Sequence, residues 1–289
     1  MAEAFKHIGI IGKYADTTVG DTLAALRDYL LERQIPALLD ASTANFWPEH
    51  NMEVASREGL GQRCNLVIVV GGDGTMLNAA RSLAQFTPAL LGLNLGRLGF
   101  LTDVSPGEME EKLGEILAGR YTEEDRYLLS CRIIRDGEEI SKNDALNDVV
   151  VHKWDVARMI EVDTYINGTF VNTLRSDGLI VSTPTGSTAY ALSGGGPILQ
   201  PCLEAMVLVP ICPHTMSNRP IVIDANNVVE IVVKGHDQSH AQVSCDGQIN
   251  LGLVAGDRIQ IRRLEHTIRL IHPVDHDHFH ILRAKLNWG

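Results

Sequence analysis

A chain of 289 residues, 45% of them hydrophobic, has room for one large domain or two ordinary ones and is apolar enough to build full cores, which excludes a disordered or fibrous protein. Its net charge of −11 excludes a general nucleic-acid or anionic-membrane surface, since no basic stripe is present, and any anionic ligand must be met locally. Five widely spaced cysteines without a CxxC pair indicate neither a disulfide framework nor a zinc knuckle, and no apolar run is long enough for a signal-peptide core or a membrane span, so a cytoplasmic protein with reduced thiols is expected.

The first half alternates strand and helix. His7 to Ile11 reads as a buried strand ending at Gly12, followed by an amphipathic helix over Thr22 to Gln34 that carries Leu23, Leu26, Leu30 and Leu31 inward. Ala37 to Leu39 is a second short strand, and Ala41 to Gln62, with Pro48 and a mixed pattern, is expected to be loop plus a weak helix. Leu66 to Val70 is a continuous β-branched run that stops at Gly71-Gly72-Asp73-Gly74; Thr75 then opens a helix with Met76, Leu77, Ala80, Leu83 and Ala84 on one face. Ala89 to Leu93 is another strand, and Glu108 to Ala118 another helix. Such alternation predicts an open, mostly parallel, Rossmann-like sheet with helices on both faces and ligands beyond the carboxyl ends of the strands.

From Tyr121 the period changes to alternation with frequent turn signals, which places a domain boundary near Arg120: an α/β domain over residues 1–120 and a mainly antiparallel β domain over 121–289, whose tail can pack back on the first. Hairpins are expected at Leu128 to Ile134 with Asp136-Gly137, and at Val162 to Leu174 around Asn167-Gly168. Further strands are expected at Ala145 to His152, Leu179 to Ser182, Val207 to Pro210, Val228 to Val233, Ala241 to Ser244, Ile259 to Arg263 and Ile268 to Ile271.

Three stretches carry chemistry. In the GGDG loop, three glycines let the backbone turn through unusual conformations and let a ligand approach closely, beside the positive end of a helix dipole, which suits phosphate. No P-loop lysine is present; Asp73 stands there instead, as a proton acceptor, a metal holder or simply a helix cap. Gly96, Gly99 and Phe100, in the segment after the Ala89 to Leu93 strand, are placed at the same edge. Ser182 to Gly196 is a second small-residue loop, with Arg175 supplying charge and Asp177 an acceptor, and a short helix over Thr188 to Leu192. Asn147-Asp148 interrupts an apolar strand, and two adjacent polar side chains on opposite faces are best explained by a cleft.

GGDGTML at 71–77, LGF at 98–100, ALND at 145–148, RSDGLIVSTPTGSTAYALSGGGPI at 175–198, and PHT at 213–215 followed by RP at 219–220 closely resemble, in order and separation, the bacterial NAD kinases. GGDG alone is shared with lipid kinases and phosphofructokinases; the long block is specific. The resemblance implies transfer of the γ-phosphoryl group of ATP to the 2′-hydroxyl of the adenosine ribose of NAD, giving NADP, with a divalent cation expected to be Mg2+. It implies Asp73 as general base, Gly72 and Gly74 at the phosphates, and Phe100 as a substrate contact. Asn147 and Asp148 match the pair that holds the dinucleotide, with Asp in place of the commoner Glu shortening the reach. Arg175, Asp177, Thr185, Thr188, Ala189, Tyr190 and Ser193 match further contacts, as do Arg158 and Gln248 in less distinctive surroundings. No residue is assigned to a metal. The site is expected in the cleft between the two domains, with NAD and ATP as partners in a homo-oligomer of two or four subunits. The missing GxGxxG fingerprint agrees, because a 2′-hydroxyl open to attack cannot be engaged as Rossmann enzymes engage it.

Two other functions fit parts of the sequence: a GGDG kinase of a lipid or sugar, which the lack of a membrane-binding amphipathic stretch disfavours, and a non-catalytic NAD or NADP sensor, which the retained Asp73 disfavours. The tail HPVDHDHFH, with His272, His276, His278 and His280, could present metal ligands along an extended strand; a packed or solvated segment is expected instead, because no carboxylate cluster completes a site. Trp47, Trp154 and Trp288 are assigned to packing.

Overall fold

The computed structural model describes residues 5–13, 19–96, 98–154, 158–235 and 241–288. In chain order its elements begin with β1 (Ile8–Gly12), α1 (Gly20–Glu32), β2 (Ala37–Asp40), α2 (Ala41–Ala44), β3 (Glu53–Ala55) and α3 (Arg57–Arg63). Next come β4 (Leu66–Val70), α4 (Asp73–Leu83), β5 (Ala89–Leu93) and α5 (Met109–Leu117). The strand-rich part holds β6 (Thr122–Arg135), β7 (Glu138–Ala145), β8 (Asp148–Lys153), β9 (Ile160–Ile166), β10 (Thr169–Ser176) and β11 (Gly178–Ser182). A 3-10 turn at Thr185–Thr188 and α6 (Tyr190–Ser193) precede β12 (Ala205–Ile211), β13 (Ile221–Asp224), β14 (Val229–Val233), β15 (Ala241–Cys245), β16 (Ile249–Leu253), β17 (Arg258–His272) and α7 (His278–Leu286). Two compact units result, residues 1–125 with 266–289, and residues 126–265.

The first unit is built on a parallel sheet in the order β3-β2-β1-β4-β5, extended past β5 by the end of β17, where Arg269 to Ile271 pair with Ala89 to Leu91. β1, β4 and β5 are buried along their whole length, as expected of strands covered on both faces. Leu23, Leu26, Leu30, Leu113 and Ile116 from α1 and α5 pack with Ile8, Ile10, Ile68 and Leu91 of the sheet into one core. Leu31, expected inward, is 71% exposed; Tyr29 takes its place in the core, and its hydroxyl donates to the Glu110 carbonyl at 3.0 Å. Between Ala41 and Gln62 the chain forms two helices and an edge strand, β3, rather than a loop and one weak helix. The helices are fixed by side-chain caps, Asp40 accepting from Thr43 N–H and Ser56 from Gly59 N–H.

The second unit stacks two antiparallel sheets. One contains the ladder β10-β9-β14-β17 and the β6–β7 hairpin; the other has the order β13-β12-β11-β8-β15-β16. Val149, Val151, Val181 and Val243 from the second sheet meet Leu129, Val162, Ile231 and Ile261 from the first in a single apolar layer. Both expected hairpins form, each through a two-residue turn with positive φ at both positions, Asp136-Gly137 (53° and 87°) and Asn167-Gly168 (49° and 78°). The two strands expected at Ile259 to Arg263 and Ile268 to Ile271 are one, β17, which enters both units.

Candidate active site

In the first unit, β4 delivers the chain to Gly71, whose N–H still donates to Leu93 O of β5 at 2.9 Å. The helix begins at Asp73, earlier than the expected Thr75, with Gly72 in extended backbone (φ −102°) as its N-cap. Neither Gly71 nor Gly72 adopts positive φ, so the unusual turn expected of the glycines is absent there. Gly71 is needed for closeness instead: a Cβ would lie 2.5 Å from Thr75 Oγ1. The Asp73 carboxylate sits on the first turn of α4 and is held by the segment after β5. Oδ2 accepts the Phe100 N–H at 3.0 Å, while Oδ1 accepts the Leu101 N–H at 3.0 Å and the Thr102 hydroxyl at 3.3 Å. A carboxylate offers about four acceptor positions, so these three donors leave Oδ2 able to take a hydroxyl from a substrate. Gly99 makes the arrangement possible, since a Cβ there would come 2.3 Å from Asp73 Oδ1. Gly99 and Phe100 thus lie beside Asp73 as expected, whereas the Gly96 N–H turns to Asn94 Oδ1. The exposed Lys285 of α7 places its ammonium 5.0 Å from the Phe100 ring centre.

In the second unit the expected strand Ala145 to His152 is broken at Leu146 and Asn147. The cause is Asp246: its carboxylate accepts the backbone N–H groups of Leu146 (3.1 Å), Asn147 (2.8 Å) and Asp148 (3.2 Å), which therefore leave the sheet ladder. Asp246 and Gly247 form a positive-φ turn between β15 and β16. Behind the break lies the Ser/Thr/Gly loop. Ser182 Oγ and Thr183 N–H both donate to Asn147 O, Thr183 Oγ1 donates to Leu146 O at 2.6 Å, and a Cβ on Gly186 would strike Asn147 O at 2.2 Å. The two sequence blocks are thereby locked together.

A cavity of about 310 Å³ opens at this junction, lined by Asn147, Asp148, Val150, His152, Ala189, Tyr190 and Asp246 among others. Asp148, Val150 and His152 alternate along one face of β8, whose other face is in the core. Burial, together with the neighbouring Asp246 carboxylate, pushes the Asp148 carboxyl up to about 7, and burial lowers His152.

The remaining expected residues are distributed around this groove. Thr185, nearly buried, accepts from the buried Arg126 guanidinium at 3.1 Å, and Thr188 Oγ1 donates to Thr185 O at 3.3 Å. Ser193 ends α6 on the exposed side. Asp177 lies past the opposite end of β11, paired with Lys153 at 2.8 Å; Gly178 registers with His152 while Ser182 registers with Asp148, a separation of about 14 Å along the strand. Arg175, mostly exposed, places its guanidinium 3.8 Å from Glu161. Arg158 is exposed just before β9, and Gln248 is exposed next to Gly247 in the Asp246 turn. Sequence reasoning missed Asp246, Thr102, Arg126 and Lys153. The Asp246-Gly247 pair carries a turn signal, but nothing local says which backbone its carboxylate faces.

Two family models match the chain: the ATP-NAD kinase N-terminal domain over residues 18–121 and the ATP-NAD kinase C-terminal domain over residues 146–273. The chain is 52% identical over 289 residues to a protein named NAD kinase from Nitrosococcus oceani, covering 100% of this chain and 99% of the relative. It is 50% identical over 287 residues to a like-named protein from Hahella chejuensis, covering 99% and 97%. Among solved structures, an NAD kinase from Archaeoglobus fulgidus in complex with ATP superposes with a TM-score of 0.77 at 27% identity, covering 98% of this chain and 100% of that one. Yeast NADH kinase complexed with NADH shares the fold, with a TM-score of 0.89 at 23% identity over 98% of this chain and 88% of that one.

Proposed function

The chain belongs to the ATP-NAD kinase family, and from that membership we propose that it transfers the γ-phosphoryl group of ATP to the 2′-hydroxyl of the adenosine ribose of NAD. The observation that carries the proposal is identity of about half the residues, over the full length, to bacterial proteins named NAD kinase. The 2′-oxygen forms a bond to the γ-phosphorus, the bond from that phosphorus to the bridging oxygen of ADP breaks, and the hydroxyl proton passes to a base. Phosphoryl transfer asks chiefly for positioning and charge neutralisation.

Asp73 is the proposed base. Its carboxylate is fixed by two backbone N–H groups and a hydroxyl, and its Oδ2, which takes one of these three donors, keeps an acceptor position for the ribose hydroxyl. Phosphate is proposed to sit at Gly72 and Gly74, at the positive end of α4. In the second unit Asn147 and Asp148 are proposed to bind the dinucleotide, with Thr185, Thr188, Ala189, Tyr190 and Ser193 around it and Arg158, Arg175, Asp177 and Gln248 as outer contacts. A divalent cation, Mg2+, completes the set. Mg2+ favours oxygen donors from one or two carboxylates plus substrate phosphates, so it is proposed to be carried mainly on ATP. When bound it neutralises charge on the transferring group. Family membership also supports a cytoplasmic homo-oligomer of two or four subunits; no helix among the described residues is long and apolar enough to cross a membrane.

Asp73→Asn tests the assignment of the base. A general base contributes about 10² to 10⁴ in rate, so turnover is expected to fall by that factor, roughly 3 to 5 kcal/mol of transition-state stabilisation, with the fold intact by circular dichroism. Unchanged turnover in the folded variant would remove Asp73 from the mechanism.

A further inference from the structure

The C-terminal histidines do not form the extended strand suggested by their alternation. β17 ends at His272, the chain turns at Pro273, and Asp277 caps α7 by accepting the Phe279 N–H. The turn carries His272 and His276 onto Asp103, the residue after Thr102. Asp103 Oδ2 is 3.0 Å from His272 Nδ1 and 2.6 Å from His276 Nδ1, and the two imidazoles stack with centres 3.9 Å apart. His272 is buried and Asp103 and His276 are mostly enclosed, with side-chain exposures of 1%, 9% and 7%. Asp103 Oδ1 is enclosed and has no hydrogen-bond partner among the described residues.

We propose that Asp103, His272 and His276 form a three-ligand site for a transition-metal cation of the Zn2+ type, distinct from the ion that accompanies ATP. One ligand atom from each residue lies within 4.8 Å of the others, close enough for small side-chain shifts to bring all three to about 2.0 to 2.2 Å from one ion. Two imidazole nitrogens and a carboxylate suit Zn2+, Co2+ or Ni2+, not the oxygen-seeking Mg2+. Without an ion, two imidazoles crowd a single carboxylate oxygen while its twin has no hydrogen-bond partner among the described residues. A cation replaces both ring protons at Nδ1 and gives the second oxygen a charge to face. Asp103 and His276 also line a cavity of about 230 Å³ with Glu108, Asp277 and the ion-paired Lys112 and Asp275, which gives space for a water as fourth ligand. The ion would clamp the start of the C-terminal tail to the residue following the Phe100 to Thr102 segment that holds Asp73.

The test uses the full-length protein stripped of metal with chelator and titrated with Zn2+ against a competing chromophoric chelator, without nucleotide. One equivalent is expected to bind and to raise the melting temperature. Asp73→Asn is expected to bind equally, and His276→Gln to bind more weakly by over about 100-fold, beyond what loss of an outer-shell partner produces. Because His276→Gln could misfold, the wild type supplies a second readout. Co2+ should give the intense visible absorption of a tetrahedral nitrogen–oxygen site, and Zn2+ should shift the ring ¹⁵N resonances of His272 and His276 at Nδ1. Absence of stoichiometric binding, unaltered affinity in a folded His276→Gln protein, or histidine resonances that ignore Zn2+ would overturn the proposal.

Discussion

At the scale of single residues, the two carboxylates proposed to matter most are held in opposite ways. Asp73 collects three donors and remains half-open to solvent, whereas Asp148 is buried beside a second carboxylate. With its carboxyl pushed up to about 7, Asp148 keeps a proton in the folded protein that the unfolded chain releases near its ordinary value of 3.8. Between these values the native state binds more protons, so this group's contribution to stability is greatest below about pH 4, falls as pH rises, and levels off above about 7. Asp148→Asn removes the dependence. Relative to wild type the variant is expected to gain stability between about pH 5 and pH 8, on the order of 2 kcal/mol, read from denaturant midpoints at the two pH values. A difference that stays flat across that range would show that Asp148 ionises normally in the fold.

At the scale of elements, the buried parallel strands were legible because each is a short continuous apolar run closed by glycine or polar residues; β4 and β5 begin and end where the pattern predicts. The hairpins were legible for the same local reason, through Asp-Gly and Asn-Gly. Edge strands were not: β13 and β16 expose most of their residues, so no buried face writes a period into them. The break before β8 was hidden because its cause, the Asp246 carboxylate, lies far along the chain. The candidate site divides the same way. Asp73, Gly99 and Asn147-Asp148 could be picked out by type and place, while Thr102 could not, its function being to hold a side chain on another element. Gly99→Ala is expected to displace the Asp73 carboxylate, because the new methyl would lie 2.3 Å from Oδ1 and 2.4 Å from Thr102 Oγ1. Misplacement of a reacting group by an ångström costs about 10² in rate, so kcat should fall by at least about tenfold with little change in the KM for NAD. An undiminished kcat would mean that the Phe100 to Thr102 segment does not position Asp73.

At the scale of the molecule, two compact units have separate cores, one around Leu23, Ile68 and Leu113 and the other around Val151, Ile231 and Ile261. Truncating a fully buried isoleucine costs about 2 to 5 kcal/mol, so Ile231→Ala should speed amide exchange across residues 126–265 while leaving β1, β4 and β5 largely protected. Equal acceleration in both units would mean that they open as one. The proposed base lies on the first unit and the proposed dinucleotide contacts on the second, and a net charge of −11 leaves anion binding to local features such as the start of α4. The most direct test of that assignment is to incubate the purified protein with ATP, Mg2+ and NAD and to quantify NADP with an NADP-specific dehydrogenase, wild type beside Asp73→Asn. The account predicts NADP formation by the wild type and a loss of about 10² to 10⁴ in the variant; a wild type that binds NAD yet forms no NADP would contradict it.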